Sequence, residues 1–504
     1  MNRPVPERAV TPEEARLLLL GHNEPAALEA FARTEGVRLF LAGGAVRDLL
    51  LGIVPTDLDF VSAAGTHIAR RFADAHSLPF VMLDEDHGVA RVVAPGLVLD
   101  FSAFRAQGRG GLSDIEADLL ERDFTINSMA VPLEVLVAGR FSAATPPVSD
   151  PILDAIIDPA GGLADLRAKK ILRATSSRGF QDDPLRSLRL YRLAAQLGFQ
   201  VEPLTRQAAW AGGTAGLHRV AGERIRAELA KMLSVPRSIG QLREMTAAGL
   251  LGLVLSGIED MRGVEQRGYH HLDVLEHALA TVEAVENCLA DPAVCFPCPE
   301  YFFANQTVPP WLLKLAALLH DAGKPETAIR GEDHVSFHGH EERGEEIARL
   351  NAERLKLSRA EADALGQLVG QHMRAFHLVR LLRLGKLTDR ALRRLLDAAG
   401  DCLPSLFLLA MADSLAATGP DKPADSEEKL AELFCLASRY LHERLKPLRA
   451  RPRLLTGHDL LQVFGLQPGP RIKQLLQEIE DARLAGEVES REDALDLVAR
   501  LLKG

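Results

Sequence analysis

The chain has 504 residues, a formal net charge of −10, and 47% hydrophobic and 25% charged residues. This length predicts three or four domains, and the composition excludes a disordered, collagenous or disulfide-stapled chain. The longest apolar stretches are shorter than the roughly 20 residues of a membrane span, and no secretory signal is recognised. Five cysteines predict reduced thiols in the cytoplasm. Cys295 and Cys298 have zinc-like spacing but no second pair.

Predicted elements in chain order describe a mixed α/β head followed by helices. After a helical lead-in, a strand runs into Gly43–Gly44 and a short helix, and a second strand covers residues 57–61. Two further strands, 90–93 and 97–101, form a hairpin around Pro95–Gly96. A Pro- and Gly-rich connector follows at 137–163, and beyond Pro184 apolar residues recur at helical spacing. The expected domains are a lead-in, head, neck, middle helical module and tail at residues 1–36, 37–140, 141–260, 261–420 and 421–504.

The turn at Gly43 and Gly44 is the first candidate site. Between a strand and a helix, missing side chains let backbone N–H groups approach a phosphate. Arg47 falls in the first turns of that helix. A simple tight turn is the alternative interpretation.

Asp57 and Asp59 form a pair of acids on the next strand. At positions i and i+2 their side chains share one face of a strand. Such crowding is costly unless a cation is present, and hard oxygen ligands suit Mg²⁺. Asp100 is either a third carboxylate of this site or a surface-facing strand residue. A phosphate turn followed by an acidic pair indicates a two-metal nucleotidyl-transfer site.

The segments GGAVRD and DLD resemble the head of class II nucleotidyltransferases of the polymerase-β superfamily. That family comprises CCA-adding, CC-adding and A-adding tRNA enzymes and bacterial poly(A) polymerases. ERDFTINSMA (121–130) is similar to its second motif, with Glu121 where an arginine is usual. The resemblance implies that Arg122, Asp123 and Asn127 lie near the sugar and triphosphate. IIDPAGGLADLRAKKIL (156–172) and ERIRAEL (223–229) resemble the third and the last neck motifs.

The neck segment QDDPLRSLRLYRLAAQLGF (181–199) resembles the fourth motif. From the residues alone, Asp183 is a helix N-cap followed by Pro184 at the first helical position. Arg186 shares its helix face. A carboxylate beside a guanidinium also matches the base edges of cytosine and adenine, and the resemblance assigns this role to Asp183 and Arg186. Arg189 and Arg192 either contact phosphate or are merely solvated, and the solvated interpretation is preferred.

A second constellation lies in the middle helical module. His320–Asp321 closes an apolar helix, and further histidines and an acid stand on neighbouring helical segments. This set resembles the HD-phosphohydrolase superfamily, whose core ligands would be His277, His320, Asp321 and Asp413. His340 and His372 would be added ligands where two metals bind. The implied metal is a divalent transition metal or Mg²⁺, and the substrate a phosphomonoester or a 2′,3′-cyclic phosphate. The alternative is a retained fold with a degraded site.

The tail, LLTGHDLLQVFGLQPGPRIKQLL (454–476), resembles the C-terminal segment of HD-bearing tRNA nucleotidyltransferases and implies a surface for the tRNA body. The fold class implied is α+β, with a small polymerase-β-like head, an all-helical neck, an HD-type helical domain and a helical tail.

The resemblance implies an enzyme that adds C, A or both from CTP and ATP to the tRNA 3′ end without a nucleic-acid template. Asp57 and Asp59 would bind Mg²⁺ as catalytic residues. The expected partners are tRNA, CTP and ATP, with no membrane, and the expected location is the cytoplasm. The alternatives are an A-adding or CC-adding specialist, a poly(A) polymerase, or an HD-type phosphohydrolase as the main activity. Oligomeric state is not predicted.

Overall fold

The computed structural model describes residues 10–108, 111–138, 151–298, 300–301, 307–331, 335–484 and 486–503. Two compact units divide the chain, Met1–Ala221 and Gly222–Gly504. The helical lead-in consists of α1 (Pro12–Leu20) and α2 (Glu24–Thr34). Thr11 and Glu14 form a reciprocal capping box at the start of α1, which satisfies two of its free backbone N–H groups. The predicted lead-in over residues 1–9 lies outside the described residues.

A six-stranded mixed sheet forms the centre of the first unit. Its strands are β1 (Phe40–Ala42), β2 (Asp57–Val61), β3 (Phe80–Asp84), β4 (Val89–Ala94), β5 (Leu97–Ser102) and β6 (Ala130–Pro132). The spatial order is β3-β4-β5-β2-β1-β6, and β2 runs parallel to β5 while the other neighbours are antiparallel. The predicted strand over 57–61 and the 90–101 hairpin are therefore confirmed. β3 was not predicted.

Successive side chains of β2 point alternately into the core and toward the open face of the sheet. Leu58 and Phe60 are buried with Ile68 and Phe72 in one core cluster. Asp57 and Asp59 point to the other face, as the period of two requires. Helices around the sheet are α3 (Gly44–Leu50), α4 (Gly65–His76), α5 (Asp114–Leu120), α6 (Leu133–Ala138) and α7 (Pro151–Ala155).

The rest of the first unit is mainly helical. A short parallel ladder, β7 (Ile171–Leu172) with β8 (Gln200–Val201), interrupts the helices α8 (Gly162–Ala164), α9 (Gly179–Asp182), α10 (Leu185–Leu197) and α11 (Pro203–Gly216). α10 begins at Leu185, one residue later than predicted, with Pro184 in the cap position. Most of the predicted connector, residues 139–150, lies outside the described residues.

The second unit is almost wholly helical. Its first helices are α12 (Gly222–Leu233), α13 (Ile239–Ala247), α14 (Leu250–Val254), α15 (Val274–Ala290), α16 (Pro292–Cys295), α17 (Pro310–Leu319) and α18 (Lys324–Thr327). A two-stranded ladder follows, β9 (Ile329–Arg330) with β10 (Val335–Ser336). The next helices are α19 (His340–Arg354), α20 (Arg359–Gln371), α21 (Arg374–Arg383), α22 (Asp389–Ala399), α23 (Leu403–Ala416) and α24 (Ser426–Arg439). The last are α25 (Lys446–Ala450), α26 (Gly457–Phe464), α27 (Pro470–Leu484) and α28 (Arg491–Lys503).

One helical stretch and one cysteine pair of this unit bear on the expectations from composition. The helical stretch Asp389–Ala416 is long and apolar enough to cross a membrane by length and composition, although 78% of its most apolar window is buried inside the protein, as in a core helix. Cys298 is bonded to Cys435, 137 residues away, so the prediction of wholly reduced thiols is wrong here. A single sequence does not show which cysteines the fold brings together.

Candidate functional site

The turn at Gly43 brings three parts of the head together. Gly43 has φ +76°, a conformation that favours glycine. A Cβ atom there would lie 2.7 Å from Nη1 of Arg122 and 3.3 Å from Oδ2 of Asp59. The Gly43 N–H donates to the Met129 carbonyl at 3.0 Å, which ties the turn to the predicted second motif. The missing side chain thus makes room for a guanidinium and a carboxylate.

The acidic pair lies on the open face of β2. Asp57 and Asp59 are exposed, yet the protein surrounds Asp59 closely. The surrounding protein shields the Asp59 carboxyl from water, and this raises its pKa. The positive charge of Arg122 lowers the pKa by less, and the negative charge of Asp100 raises it further. The raised pKa means that the ionised form of Asp59 is disfavoured unless a cation is bound nearby. Two carboxylates on one face of a strand therefore fit the donor set of a hard divalent cation.

Asp100 lies opposite Asp59 in the parallel β2–β5 register. Its two oxygens accept hydrogen bonds from Arg91 of β4, from Nε at 2.7 Å and from Nη2 at 2.8 Å. This two-bond pairing occupies both carboxylate oxygens. The arrangement favours the interpretation of Asp100 as a paired strand residue over that of a third metal ligand.

The residues predicted to surround the triphosphate form a hydrogen-bonded chain. Arg47 donates from Nη1 to Oδ1 of Asn127 at 2.6 Å, and Asn127 donates from Nδ2 to Oδ1 of Asp123 at 3.0 Å. Oδ2 of Asp123 is paired with Nη2 of Arg189 at 2.8 Å. Burial opposes ionisation of Asp123, but Arg189 and the hydrogen bonds to its oxygens hold the pKa of the carboxyl below its ordinary value. The prediction that Arg189 is merely solvated is therefore wrong.

Arg122 is buried and has a partner that was not predicted. Its Nε lies 3.3 Å from Oδ2 of Asp118, which is wholly buried on α5. The backbone N–H of Arg105 donates to the other Asp118 oxygen at 2.9 Å. The i, i+4 spacing of Asp118 and Arg122 is the sequence signal that could have found this pair. Asp118 fixes the guanidinium that abuts Gly43.

The neck pair Asp183 and Arg186 lies at the start of α10. Oδ1 of Asp183 accepts from the N–H of Leu185 at 3.2 Å, so the carboxylate does serve the helix start. Nη2 of Arg186 donates to the backbone carbonyl of Glu121 at 3.0 Å. The side chain of Glu121, which stands where an arginine is usual, is exposed. The base-reading candidates thus lie next to the second motif of the same unit.

All six predicted HD residues are buried and meet in two groups in the second unit. His277, His320 and Asp413 form one group, and Asp321, His340 and His372 form the other. Within each group, one ligand atom per residue lies within 4.8 Å of the others. Nε2 of His277 is 3.0 Å from Oδ1 of Asp413. Oδ1 of Asp321 is 3.6 Å from Nε2 of His340, so the turn after α17 lies next to the start of α19.

The ring orientations of these histidines test whether a metal fits. Nδ1 of His320, His340 and His372 lies 2.7–2.8 Å from the backbone carbonyls of Ala317, Phe337 and Val369 respectively. A carbonyl accepts only, so each Nδ1 carries a proton and each Nε2 is directed inward.

Two of the Nε2 atoms face each other. Nε2 of His340 and Nε2 of His372 are 3.2 Å apart, and Nε2 of His320 is buried 3.1 Å from Oδ2 of Asp321. Burial lowers the pKa of His372 to about 4, and the charge of His320 adds to this effect, so the ring is a neutral ligand. Inward Nε2 atoms around the Asp321 carboxylate fit transition-metal ions held by imidazole and carboxylate.

A cavity of about 650 Å³ opens beside these groups. Asp321, His340 and Asp413 line it together with Lys324, which donates to Oδ2 of Asp321 at 2.6 Å. His270 also lines it, and its ring centroid is 4.4 Å from that of His277. Burial lowers the pKa of His270 to about 3. Lys324 and His270 were not predicted, although both stand within eight residues of a predicted ligand.

Family models match four stretches of the chain. They describe a poly A polymerase head domain (39–172), a probable RNA and SrmB-binding site of polymerase A (198–261), an HD domain (268–418) and a putative tRNA nucleotidyltransferase domain 2 (439–499). The A-adding tRNA nucleotidyltransferase of Deinococcus radiodurans is 34% identical over 91% of this chain and 94% of that protein. The chain belongs to the tRNA nucleotidyltransferase family.

Another relative of this family, the CC-adding tRNA nucleotidyltransferase of Thermus thermophilus, is 33% identical over 90% of this chain and 92% of its own. Among solved structures, the apo form of a CCA-adding enzyme is similar with a TM-score of 0.60 at 19% identity, covering 98% of this chain and 95% of that one. The Thermotoga maritima CCA-adding enzyme complexed with tRNA is similar with a TM-score of 0.56 at 20% identity, covering 96% and 98%. The predicted family and fold class are confirmed, and the nucleotidyltransferase and HD domains imply dependence on divalent metal ions.

Proposed function

We propose that this protein completes or repairs the CCA end of tRNA in the cytoplasm, using CTP and ATP. The observation that carries the proposal is the meeting of Asp59 on β2, the Gly43 turn after β1 and Arg122. An acid pair, a side-chain-free turn and a guanidinium are what a triphosphate and its cations need.

Asp57 and Asp59 are the residues that would hold divalent ions, which we propose to be Mg²⁺. When bound, such ions neutralise charge on the triphosphate and lower the pKa of an attacking hydroxyl. The tRNA 3′ oxygen attacks the α-phosphorus, and the bond to pyrophosphate breaks. Phosphate contact is assigned to Arg47 and Arg122, so the chain contributes positioning and positive charge rather than a side-chain base.

Base choice is assigned to Asp183 and Arg186. The carboxylate accepts the exocyclic amine of cytosine or adenine, while the guanidinium donates to the adjacent ring nitrogen. Uracil and guanine would place a carbonyl oxygen against the carboxylate and leave it unpaired, which is heavily disfavoured. The hydrogen bond from Arg186 to the Glu121 carbonyl supports this role, because it fixes the guanidinium at the second motif.

The deciding experiment offers the protein three tRNAs, ending at the discriminator base, at C and at CC. A complete CCA enzyme extends all three to CCA, a CC-adding enzyme stops at CC, and an A-adding enzyme extends only the third. Asp57→Asn and Asp59→Asn should each lower incorporation at least about 10²-fold while tRNA binding is retained. Asp74→Asn, an exposed acid on α4, is the matched control. Full incorporation by either site variant would contradict the proposal.

A second candidate function is metal-dependent phosphohydrolysis in the HD domain. The inward Nε2 atoms of His320, His340 and His372 favour it. The test measures phosphate release from 2′,3′-cyclic AMP and from p-nitrophenyl phosphate with added Mn²⁺ or Co²⁺. Release should survive Asp59→Asn and be lost in His340→Ala. Release lost in Asp59→Asn and retained in His340→Ala would refute this candidate and leave the first untouched.

A further inference from the structure

Four of the five cysteines lie as two sulfur pairs in the second unit. Cys298 and Cys435 are bonded to each other. Cys288 and Cys295 are free thiols whose Sγ atoms are 2.6 Å apart. A disulfide bond is about 2.05 Å long, so the sulfur atoms of the second pair are about half an ångström further apart than bonded ones.

Local structure places the second pair without help from a ligand. Cys288 lies near the C-terminal end of α15 and is 1% exposed. Asp291 ends that helix and caps the short α16 by accepting from the N–H of Ala293 at 3.1 Å. This tight reversal carries the half-buried Cys295 back over Cys288.

The residues that follow Cys295 are packed against α24. Phe296 is wholly buried, and its ring centroid lies 4.7 Å from that of Phe434 on α24. Cys435, the next residue along α24, carries the existing disulfide to Cys298. The segment 291–298 is therefore held against α24 on one side and has the Cys288–Cys295 pair on the other.

The two thiols of the second pair have unequal chemistry. A hydrogen bond with Cys288 lowers the pKa of the Cys295 thiol, although burial and Asp291 oppose this effect. The same hydrogen bond, together with burial, raises the pKa of the Cys288 thiol. Cys295 is thus the accessible sulfur with thiolate character, and Cys288 is the buried one.

We propose that Cys288 and Cys295 form a reversible second disulfide by exchange with a low-molecular-weight disulfide. The Cys295 thiolate attacks one sulfur of the small disulfide, a mixed disulfide forms, and one small thiolate leaves. The Cys288 sulfur, having given up its proton, then attacks Cys295 Sγ and expels the second small thiolate. The protein loses two electrons and two protons, and the small disulfide gains them. This proposal is independent of the proposed nucleotidyl transfer.

Closing the pair would tie the end of α15 to the end of α16. The closed loop restricts the unfolded chain, so the oxidised second unit should melt about 5 °C higher than the form reduced at this pair. Calorimetry of the full-length protein before and after treatment with oxidised glutathione measures this shift. An unchanged thermal midpoint of the second unit in the oxidised form would contradict the proposed second disulfide.

Peptide mapping tests the bond itself. The full-length protein is treated with oxidised glutathione, denatured, alkylated and cut with chymotrypsin. Chymotrypsin cleaves after Leu289 but not between Phe296 and Pro297, so Cys288 is separated from a peptide that carries Cys295 and Cys298. We expect a disulfide joining those two peptides, and alkylation of Cys402 alone. Alkylation of both Cys288 and Cys295 would overturn the proposal. One zinc ion per chain held by the four thiolates would also overturn it.

Single variants test the order of events. Cys288→Ser should accumulate one glutathione per chain on Cys295, because the resolving sulfur is gone. Cys295→Ser should acquire none, because Cys288 is buried. Cys402→Ser, which removes a buried free thiol elsewhere in the unit, should behave like the wild type. A stable glutathione adduct on wild-type Cys295 would show that Cys288 does not resolve it and would refute the mechanism.

Discussion

At the scale of single residues, Gly43 offers the sharpest test of the head. Gly43→Ala would force a side chain into the left-handed region and into contact with Arg122 and Asp59. Gly36 also has positive φ, +67°, but nothing lies within 4 Å of a Cβ there. Both variants should lose about 1 kcal/mol of stability from backbone strain. Only Gly43→Ala should also lose nucleotide incorporation, by at least about 10²-fold, when stability and activity are measured together.

Arg186 carries the prediction about base choice. Arg186→Ala removes the donor to the ring nitrogen, so UTP and GTP should be incorporated more readily relative to CTP and ATP. A competition assay with all four nucleotides measures the change. Arg192→Ala, two turns along the same helix and bonded to Gln196, is the matched control. Unchanged selectivity in Arg186→Ala would leave Asp183 with its role at the helix start alone.

Single residues also show what one sequence can and cannot predict. Asp57 and Asp59 follow from the sequence, because alternation within one strand puts them on one face. The pairings Arg91–Asp100 and Arg189–Asp123 also stabilise the site, but each joins separate elements. Which acid pairs with which arginine depends on the register of the strands and the placement of the helices, and a single sequence does not determine either directly.

At the scale of elements, α10 is tied to the second motif through the Arg189–Asp123 pair. Since the pKa of Asp123 is lowered in the folded protein, its charge stabilises the fold above the ordinary value of 3.8, and this contribution is lost as the pH falls through the lowered pKa. Asp123→Asn should therefore flatten the decline of the thermal midpoint with pH below about pH 4. Calorimetry across that range measures it, and equal slopes in wild type and variant would contradict the assignment.

Elements differ in how well their sequences reveal them. β2 and the β4–β5 hairpin are predictable because apolar residues alternate and Pro95–Gly96 marks the turn. β3 escapes prediction, since it lies at the sheet edge with Val81, Met82 and Leu83 exposed together. No alternation distinguishes such a strand from a loop. The HD helices are evident from periodicity, whereas the convergence of their histidines depends on packing.

At the scale of the whole molecule, a divalent transition metal should stabilise the second unit. Its candidate ligands come from α15, α19, α20 and α23 and from the turn after α17. Metal bound only to the folded state would add about 2.7 kcal/mol at 100 times its Kd. We expect Mn²⁺ or Co²⁺ to raise the thermal midpoint of that unit in the full-length wild type. The rise should vanish in His372→Ala and persist in His377→Gln, whose side chain lines the cavity outside both groups. An equal rise in both variants would refute the site.

The parallel pairing of β2 with β5, and the antiparallel pairing of β1 with β6, has a consequence for the nascent chain. The strand that carries the acids lacks its outer neighbour until Ser102 has left the ribosome, and the glycine-bearing strand waits until Pro132. Such distant pairings close slowly. Until then two backbone edges stay open to other nascent chains. A pause in translation between these two points would therefore be a moment of particular vulnerability to misassembly.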